Sequence, residues 1–274
     1  MAVPVYQIQH LIKRDNIQLF SSNYALYAQL SARVMSTLEE FAPNIEIYSI
    51  DEAFLDLTGV CHKDPIAYGQ IIKKTVLKKT GIPVCMGMGP TKTLAKLANF
   101  AAKKWPQTQG VLDLSDTLRR EKLMKLVPVD EVWGVGYRTA ARLKQMGIQT
   151  VWDLARQPSK QLQNQFSVVM ARTVMELNGE ACLSLEDITP DKQQIVCSRS
   201  FSEKISDYKT LSEALAEFCS RAAEKLRKQQ SVTGYICIYI RTNPFNPQEP
   251  QYQRSAGYKL NAATLPTYKD RAQI

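Results

Sequence analysis

Apolar residues recur at helical spacing through the first long segment of the chain. The members of this stripe are Leu26, Leu30, Val34, Leu38 and Phe41. Positions three or four apart lie on one face of an α-helix, so the pattern predicts a helix from Tyr24 to Phe41. Ser21 or Ser22 is the expected N-cap, because a serine side chain can accept a hydrogen bond from a backbone N–H of the first turn.

The pattern then changes to an alternation of apolar and polar positions over residues 45–59. Ile45 and Ile47 alternate with polar neighbours, and Leu55 and Leu57 do so again after a polar interval. This period of two predicts two short strands that meet in a turn near Ile50 and Asp51.

Helical and strand patterns alternate as far as about Leu114. Asp64-Pro65 opens a predicted helix that ends before Gly81, residues 82–88 form a candidate buried strand, and residues 91–104 form an amphipathic helix. The apolar stripe of that last helix is Leu94, Leu97, Ala98 and Ala101. Interleaved elements of this kind indicate an α/β or α+β unit.

The rest of the chain divides into two further regions. Residues 116–180 contain short helical patterns broken by glycine and proline. After a polar stretch, residues 195–201 look like a strand, residues 210–229 like a helix and residues 232–242 like a second strand. We therefore expect domain boundaries near residues 115 and 190, giving domains 1–115, 116–190 and 191–274.

Composition excludes several classes of protein. The 274 residues contain 45% hydrophobic and 22% charged positions, as in an ordinary globular protein. Apolar runs are far shorter than the roughly 20 residues that span a bilayer, and the N-terminus lacks the basic-then-apolar order of a signal peptide. Six scattered cysteines without CxxC pairs and two histidines, His10 and His62, argue against a zinc site and a disulfide framework. We expect a cytoplasmic protein with no membrane association.

The charge is uneven along the chain, whose net charge is +9. Residues 1–57 contain three basic and seven acidic residues, whereas residues 58–109 contain nine lysines and one acidic residue. Residues 110–195 are neutral overall, and residues 196–274 contain 12 basic and seven acidic residues. An acidic segment beside basic ones suggests a metal site next to surfaces that contact phosphates.

Asp51 and Glu52 are the strongest candidates for chemistry in the acidic segment. Neighbouring side chains of a straight strand point to opposite faces, so adjacent carboxylates reach one metal ion only where the backbone turns. Carboxylate oxygens favour Mg²⁺, and Asp56 is a weaker candidate on the second strand. An ordinary surface turn would also explain an Asp-Glu pair.

The string YSIDEAFLDLTG at residues 48–59 resembles the catalytic signature of Y-family translesion DNA polymerases, closest to the UmuC group. The resemblance extends in order through FSSNYALYAQLSARVMSTLEEFAPNIEIYSIDEAFLDLTGV, GPTKTLAKLANFAAKKW, PVDEVWGVGYRTAARLKQMGIQTVWDLA and CSRSFSEKISDY. It implies an α+β multidomain fold: a partial polymerase palm with a ferredoxin-like sheet and remnant fingers, a helical thumb with a helix-hairpin-helix, and a partial α/β little finger.

The resemblance assigns expected roles to individual residues. Asp51 and Glu52 match the second acidic motif, which binds the catalytic Mg²⁺ ions of a two-metal site, and Ser49 would support the turn. Lys103 matches the lysine that contacts the nucleotide triphosphate, and Lys92 and Lys96 would line the same helical face. A lysine-rich stripe is otherwise most often a solvated surface, as we expect for Lys73, Lys74, Lys78 and Lys79.

A glycine-rich turn precedes an amphipathic helix at residues 132–147. Gly134 and Gly136 would let backbone N–H groups approach a phosphate, and Arg138 lies in the following helix. With residues 147–155 this resembles a helix-hairpin-helix, which binds the duplex backbone without reading sequence. A simple structural turn is the alternative, and Trp133 and Trp152 are expected to be core anchors rather than base-stacking residues.

The last segment resembles the start of the little finger. Arg199 is the expected DNA contact there, with Lys204, Arg241 and Arg254 as further phosphate contacts. The resemblance also implies primer–template DNA, deoxynucleoside triphosphates, UmuD′ and RecA as partners in SOS DNA-damage tolerance.

The match does not include the first metal-binding aspartate or the steric gate of the family, and it ends within the little finger. We expect a polymerase truncated at both ends whose catalysis is impaired by the missing ligand. The alternative is a non-catalytic remnant that binds damaged DNA.

Overall fold

The computed structural model describes residues 3–264 except residue 4, residues 61–63, 186–191, 202–203 and 245–247, and residue 249. The chain forms two compact units, Met1–Thr189 and Pro190–Ile274. Among the described residues, every helix is too short or too polar to cross a lipid bilayer.

The first unit contains nine α-helices and four short strands within its described residues. Their bounds are α1 Gln9–Arg14, α2 Tyr24–Glu39, β1 Asn44–Ile47, β2 Ala53–Asp56, α3 Pro65–Thr80, β3 Met86–Met88, α4 Lys92–Lys104, β4 Val111–Asp113, α5 Thr117–Leu126, α6 Tyr137–Gln145, α7 Val151–Ala155, α8 Ser159–Gln165 and α9 Val168–Leu177. Short 3-10 helices lie at Val5–Gln7, Pro106–Thr108 and Val129–Glu131.

The predicted strand–turn–strand is present. Strands β1 and β2 pair antiparallel, with Ile45 opposite Leu55 and Ile47 opposite Ala53. The predicted cap of α2 is wrong, because Asn23, not Ser21 or Ser22, accepts a hydrogen bond from the backbone N–H of Leu26 at 3.0 Å. Asparagine is an equally good N-cap, and it lies directly before the first helical residue.

The predicted strand at 82–88 is shorter in the structure. Only Met86–Met88 form β3, which pairs parallel with β4 from Met86 opposite Val111 to Met88 opposite Asp113. A strand extends only as far as a neighbouring backbone pairs with it. In the described residues, β4 supplies three partner positions, which sets the length of β3.

Helix α4 lies directly on the backbone of β3. A Cβ atom at Gly87 would come within 2.0 Å of the backbone nitrogen of Asn99 and 2.3 Å of the carbonyl oxygen of Ala95. Glycine is therefore required for this close approach of helix and strand. The predicted apolar stripe of α4 is confirmed, because Leu94, Leu97, Ala98 and Ala101 are all buried.

The core of the first unit continues from α4 into the helices that follow. The α4 stripe packs in one cluster with buried residues of α5 to α9. Members from those helices are Leu123, Met124, Ala140, Leu143, Val151, Leu154, Leu162, Met170, Val174 and Leu177. This core contains residues from both sides of residue 115. The domain boundary expected near residue 115 stays a prediction.

Glu176 joins three segments inside the first unit, although it is fully buried. Its Oε2 accepts hydrogen bonds from the backbone N–H and hydroxyl of Thr93, at 2.9 and 2.6 Å. Its Oε1 accepts from the backbone N–H groups of Cys182 and Leu183, at 3.1 and 3.0 Å. The hydroxyl of Thr91 donates to the backbone carbonyl of Glu176 at 2.9 Å. The start of α4, the end of α9 and the segment after it therefore meet at one carboxylate.

Helix α7 begins with a capping box. Thr150 accepts a hydrogen bond from the backbone N–H of Asp153, and the Asp153 carboxylate accepts one from the backbone N–H of Thr150 at 2.9 Å. These bonds, the backbone one being the largest cause, hold the pKa of Asp153 below its usual value. The cap fixes the second half of the predicted helix-hairpin-helix.

We expect Asp153→Ala to destabilise the chain by about 1 kcal/mol at pH 6, the typical contribution of a helix cap. The stabilisation by a carboxyl whose pKa falls on folding is present above its unfolded pKa of about 3.9 and is lost as pH falls through the lower folded value. Urea denaturation at pH 6 and pH 2.5 should show a difference from the unsubstituted chain that shrinks in acid. A difference of equal size at both pH values would contradict this role for the carboxylate.

The second unit consists of α10, Tyr208–Lys228, and an antiparallel pair, β5 Thr233–Arg241 and β6 Gln253–Thr264, within its described residues. The predicted strand at 195–201 is wrong. This region is held instead by Lys225 of α10, which donates to the carbonyl of Val196. Just before it, Lys192 is held by Gln229, the C-cap of α10, which bonds to the backbone N–H and carbonyl of Lys192. An alternating pattern forms a strand only where another strand pairs with it.

Candidate active site

The turn between β1 and β2 carries Asp51 and Glu52 side by side. The backbone N–H groups of Tyr48 and Ser49 both donate to the carbonyl oxygen of Glu52, at 3.0 Å. The hydroxyl of Ser49 donates to Oδ1 of Asp51 at 2.6 Å and accepts from its backbone N–H at 3.3 Å. Ser49 thus supports the turn, and Asp51 is exposed while Glu52 is half-buried.

Two lysines of α4 pair with glutamates of the hairpin. Lys96 Nζ lies 2.7 Å from Oε1 of Glu52, and Lys92 forms an ion pair with Glu46. These side chains retain only 11% to 28% of their exposure, so the pairs are shielded from solvent. Attraction between opposite charges is stronger in such surroundings than in water. The Lys92 and Lys96 ammonium groups therefore bind the hairpin.

Lys103 lies in the last turn of α4 and is exposed. It is seven residues beyond Lys96, or about 10 Å along the helix axis at a rise of 1.5 Å per residue. Among the described residues, its ammonium group has no ion-pair partner at all. It is thus the lysine of this stripe that remains available to an added anion.

Asp56 lies at the far end of the hairpin from the turn, opposite Asn44. Its carboxylate accepts a hydrogen bond from the backbone N–H of Thr58 at 2.9 Å. Hydrogen bonds from Thr58, the side-chain one first, lower the pKa of Asp56 below its usual value. Its contacts are those of a turn-stabilising side chain.

The glycine loop before α6 has the conformation that its sequence requires. Gly134 has a φ of +86°, in the left-handed region that glycine adopts without strain. Gly136 is the N-cap of α6. Apart from sequence neighbours, none of the described residues has an atom within 4 Å of a Cβ atom built at either glycine. Arg138 is exposed in the first turn of α6. The loop therefore presents an uncrowded backbone next to a helix N-terminus and a cation.

Arg142, one turn further along α6, has a structural contact. Its Nη2 donates to the backbone carbonyl of Gln165 at 2.9 Å, and its guanidinium lies 4.4 Å from the centre of the Phe166 ring. Arg138 is thus the better placed of the two arginines for an external phosphate.

Three aromatic rings connect the glycine loop to the hairpin, which the sequence did not predict. The ring centre of Trp133 lies 5.5 Å from that of Tyr48 and 5.7 Å from that of Phe54. Trp152 packs against the core of the first unit as expected, whereas Trp133, for which the same role was predicted, packs on Tyr48 and Phe54 instead. The sequence carries one sign of this contact. Tyr48 directly precedes the carboxylate turn that begins at Ser49, and Trp133 directly precedes the glycine loop that begins at Gly134.

The basic residues predicted as DNA contacts in the second unit are exposed, and two of them lie on different faces of its sheet. Arg241 is opposite Gln253 in the sheet, whereas Arg254 is opposite Ile240. Successive strand residues point to opposite faces, so Arg241 and Arg254 lie on different faces of the sheet. Arg199 and Lys204 lie outside regular secondary structure.

The donor atoms of the turn suit a hard divalent cation. Mg²⁺ is commonly held by one or two carboxylates together with substrate phosphates, and Asp51 and Glu52 supply such carboxylates. In the part of the chain that the structure describes, no group of three or more His, Cys, Asp or Glu side chains is arranged to hold a metal ion. Cys61 and His62 lie outside the described residues.

Family models match three parts of the chain. The impB/mucB/samB family matches residues 1–99, and the C-terminal domain of the same family matches residues 192–272. The thumb domain of DNA polymerase iota matches residues 130–178, which include the glycine loop and α6 to α9.

Known proteins resemble the chain in sequence and fold. The protein UmuC of Salmonella typhimurium is 49% identical over 95% of this chain and 62% of its own length. MucB of Escherichia coli is 46% identical over 96% of this chain and 63% of its own. A solved Y-family DNA polymerase chimera of Dbh and Dpo4 superposes with a TM-score of 0.65 and 25% identity, covering 88% of this chain and 67% of the chimera. The chain spans about three fifths of the length of these curated relatives.

Proposed function

The chain belongs to the impB/mucB/samB family of UmuC-type Y-family polymerases, and we propose that it acts in error-prone translesion DNA synthesis. The reaction is template-directed transfer of a nucleotide to a DNA primer. The observation that carries the proposal is the turn that holds Asp51 and Glu52 together, within a sequence almost half identical to UmuC. The partial multidomain polymerase fold expected from the sequence is confirmed by the solved neighbours.

In this proposal the chain's own residues bind and orient the reactants. Asp51 and Glu52 would hold Mg²⁺, and Ser49 fixes the orientation of Asp51. Magnesium ions, when bound, would activate the primer 3′-hydroxyl and stabilise the leaving pyrophosphate. Lys103 would offset the negative charge of the triphosphate, and the backbone around Gly134 and Gly136 would contact duplex phosphates.

The partners proposed for the chain follow from its family. They are primer–template DNA, deoxynucleoside triphosphates, UmuD′ and RecA, in the SOS response to DNA damage in the cytoplasm. The basic residues Arg138 and Arg199, with Arg241 and Arg254, would contribute electrostatic attraction to DNA.

The proposed function is tested by primer extension with purified chain, Mg²⁺ and the four nucleotides, on an intact template and one with an abasic site. We expect magnesium-dependent addition of nucleotides on both templates. A primer that is never extended, at enzyme concentrations that saturate the DNA, would overturn the proposal.

A second candidate is a non-catalytic protein that binds damaged DNA. The ion pair between Lys96 and Glu52 favours it, because a carboxylate already neutralised by an ammonium group is a weaker ligand for a metal ion. Binding that weakens with salt, without any extension of the primer, would support this alternative.

Gly136→Ala is expected to weaken duplex binding at least fivefold while leaving stability within about 0.5 kcal/mol. Apart from the adjacent residues in sequence, the described part of the chain has no atom within 4 Å of the added methyl group, so a bound phosphate is what it would meet. Fluorescence anisotropy with labelled duplex and urea denaturation measure the two quantities. Unchanged DNA affinity in a stable variant would show that the glycine loop does not approach the backbone.

Arg138→Ala should lower the dependence of binding on salt. Loss of one phosphate contact reduces the slope of log K against log salt by about 1. Lys74→Ala is the matched control, since Lys74 is an exposed lysine of α3 that we expect to be surface only. If Arg138→Ala and Lys74→Ala have equal slopes of log K against log salt, Arg138 does not contact the DNA.

A further inference from the structure

Trp133 contacts the hairpin that carries the proposed metal ligands, although it belongs to the glycine loop. Its Nε1 donates a hydrogen bond to the hydroxyl of Tyr48 at 3.2 Å. Its ring packs edge-to-face with that of Tyr48 and lies at 51° to that of Phe54. The Tyr48 and Phe54 rings also contact each other, with their centres 5.8 Å apart. Aromatic pairs at such distances and angles are favourable beyond the area they bury. The three rings form a closed group that joins the two segments, 85 residues apart in sequence.

The two attachment points on the hairpin flank the carboxylate turn. The backbone N–H of Tyr48 donates to the carbonyl of Glu52, so Tyr48 is the first residue of the turn. Phe54 lies on β2, two residues after Glu52, and is paired with Glu46 across the hairpin. A displacement of Trp133 would therefore act on both ends of the turn.

Lys96 adds a polar connection through the same group of rings. Its Nζ lies 5.2 Å from the centre of the Tyr48 ring and 5.8 Å from that of Trp133. The same ammonium group pairs with Glu52. Cations are attracted to the faces of aromatic rings at these distances, so the rings help to determine where Lys96 holds the Glu52 carboxylate.

The segment that carries Trp133 is fixed to the core of the first unit by buried side chains on both sides. Val132 and Val135, which flank Trp133 and Gly134, are buried in the core at 4% and 7% exposure. The backbone N–H of Val135 donates to the carbonyl of Val132 at 2.9 Å, which closes the loop around Trp133. Because Trp133 lies between these two fixed residues, a movement of the glycine loop would also move Trp133.

We propose that Trp133 is a positioning residue that couples the glycine loop to the Asp51–Glu52 turn, so that duplex DNA held at the loop orders the metal-binding carboxylates. The proposal rests on the proposed function, because it assigns the loop to duplex binding and the turn to metal binding. The proposal adds that contacts of Trp133 with Tyr48, Phe54 and Lys96 make the order of the metal-binding turn depend on duplex binding at the glycine loop.

Hydrogen–deuterium exchange of the backbone amides in residues 48–54 tests the link without requiring catalysis. In the free chain, we expect Trp133→Ala to raise exchange in this segment about tenfold. Addition of primer–template duplex should slow exchange there in the unsubstituted chain and leave it unchanged in Trp133→Ala. A merely structural tryptophan would alter exchange in the free chain without removing the response to DNA.

Trp152→Ala is the matched control, because Trp152 is another half-buried tryptophan of the same unit that packs against the core cluster. In Trp152→Ala, addition of duplex should slow exchange in residues 48–54 as much as it does in the unsubstituted chain. Trp133→Phe and Tyr48→Phe retain an aromatic ring at each position and lose the hydrogen bond. They should show about threefold faster exchange in the free chain and a smaller response to DNA than the unsubstituted chain, which keeps the test decisive if Trp133→Ala unfolds.

Two results separate the failure of this link from the failure of the proposed function. If DNA binds and protects the hairpin equally in the unsubstituted chain and in the Trp133 variants, the link is wrong and the function stands. If the unsubstituted chain binds no duplex at all, the proposed function is wrong and the link falls with it.

Discussion

Asp51→Asn is expected to lower the rate of nucleotide addition by more than about 100-fold, since even the loss of a group that only supports a metal ligand typically costs 10- to 100-fold. The substitution retains the size of the side chain and the acceptor for the Ser49 hydroxyl, so the turn should persist. What it removes is the negative charge that a divalent cation requires. The rate is measured with the chain in excess over primer–template DNA.

Asp56→Asn is the matched control for Asp51→Asn. Both aspartates belong to the same hairpin, but Asp56 lies at its opposite end and bonds to Thr58. We expect its rate within about threefold of the unsubstituted chain, and duplex affinity within about twofold for both variants. Equal losses of activity in the two variants would show that the turn has no special role.

Glu176→Ala is expected to lower the free energy of unfolding by about 3 kcal/mol, because several buried donors lose their acceptor at once. The hydroxyl and backbone N–H of Thr93 are the most affected, since Thr93 is buried at the start of α4. Glu176→Gln retains a carbonyl acceptor and should lose less. Urea denaturation measures both variants.

Glu180→Ala provides the comparison for Glu176, since Glu180 is an exposed glutamate four residues further along the chain. We expect its unfolding free energy to change by no more than about 0.5 kcal/mol. A Glu176→Ala variant as stable as Glu180→Ala would contradict the role of this carboxylate as a joint between segments.

The elements around the site could be predicted because their signals are local. Alternation at Ile45, Ile47, Leu55 and Leu57 predicted the hairpin, and it follows that Asp51 and Glu52 share its turn. The apolar stripe of α4 predicted which face of that helix is buried. Both predictions depend only on the period of a helix or strand.

The partners across the fold could not be predicted in the same way. Lys96 pairs with Glu52 across 44 residues, and Trp133 bonds to Tyr48 across 85. The sequence shows that such side chains carry charge or a ring, but not which surface they meet. The strand expected at 195–201 failed for the same reason, because strand formation depends on a neighbouring backbone that the local pattern does not reveal.

The most direct test of a polymerase site is the affinity of the chain for a primer–template whose primer ends in a dideoxynucleotide, measured with each of the four nucleotides and Mg²⁺. We predict that only the nucleotide complementary to the template base tightens binding, that the effect requires Mg²⁺, and that Asp51→Asn removes it. Equal affinity for the DNA with every nucleotide, with or without Mg²⁺, would contradict the account and leave a protein that only binds DNA.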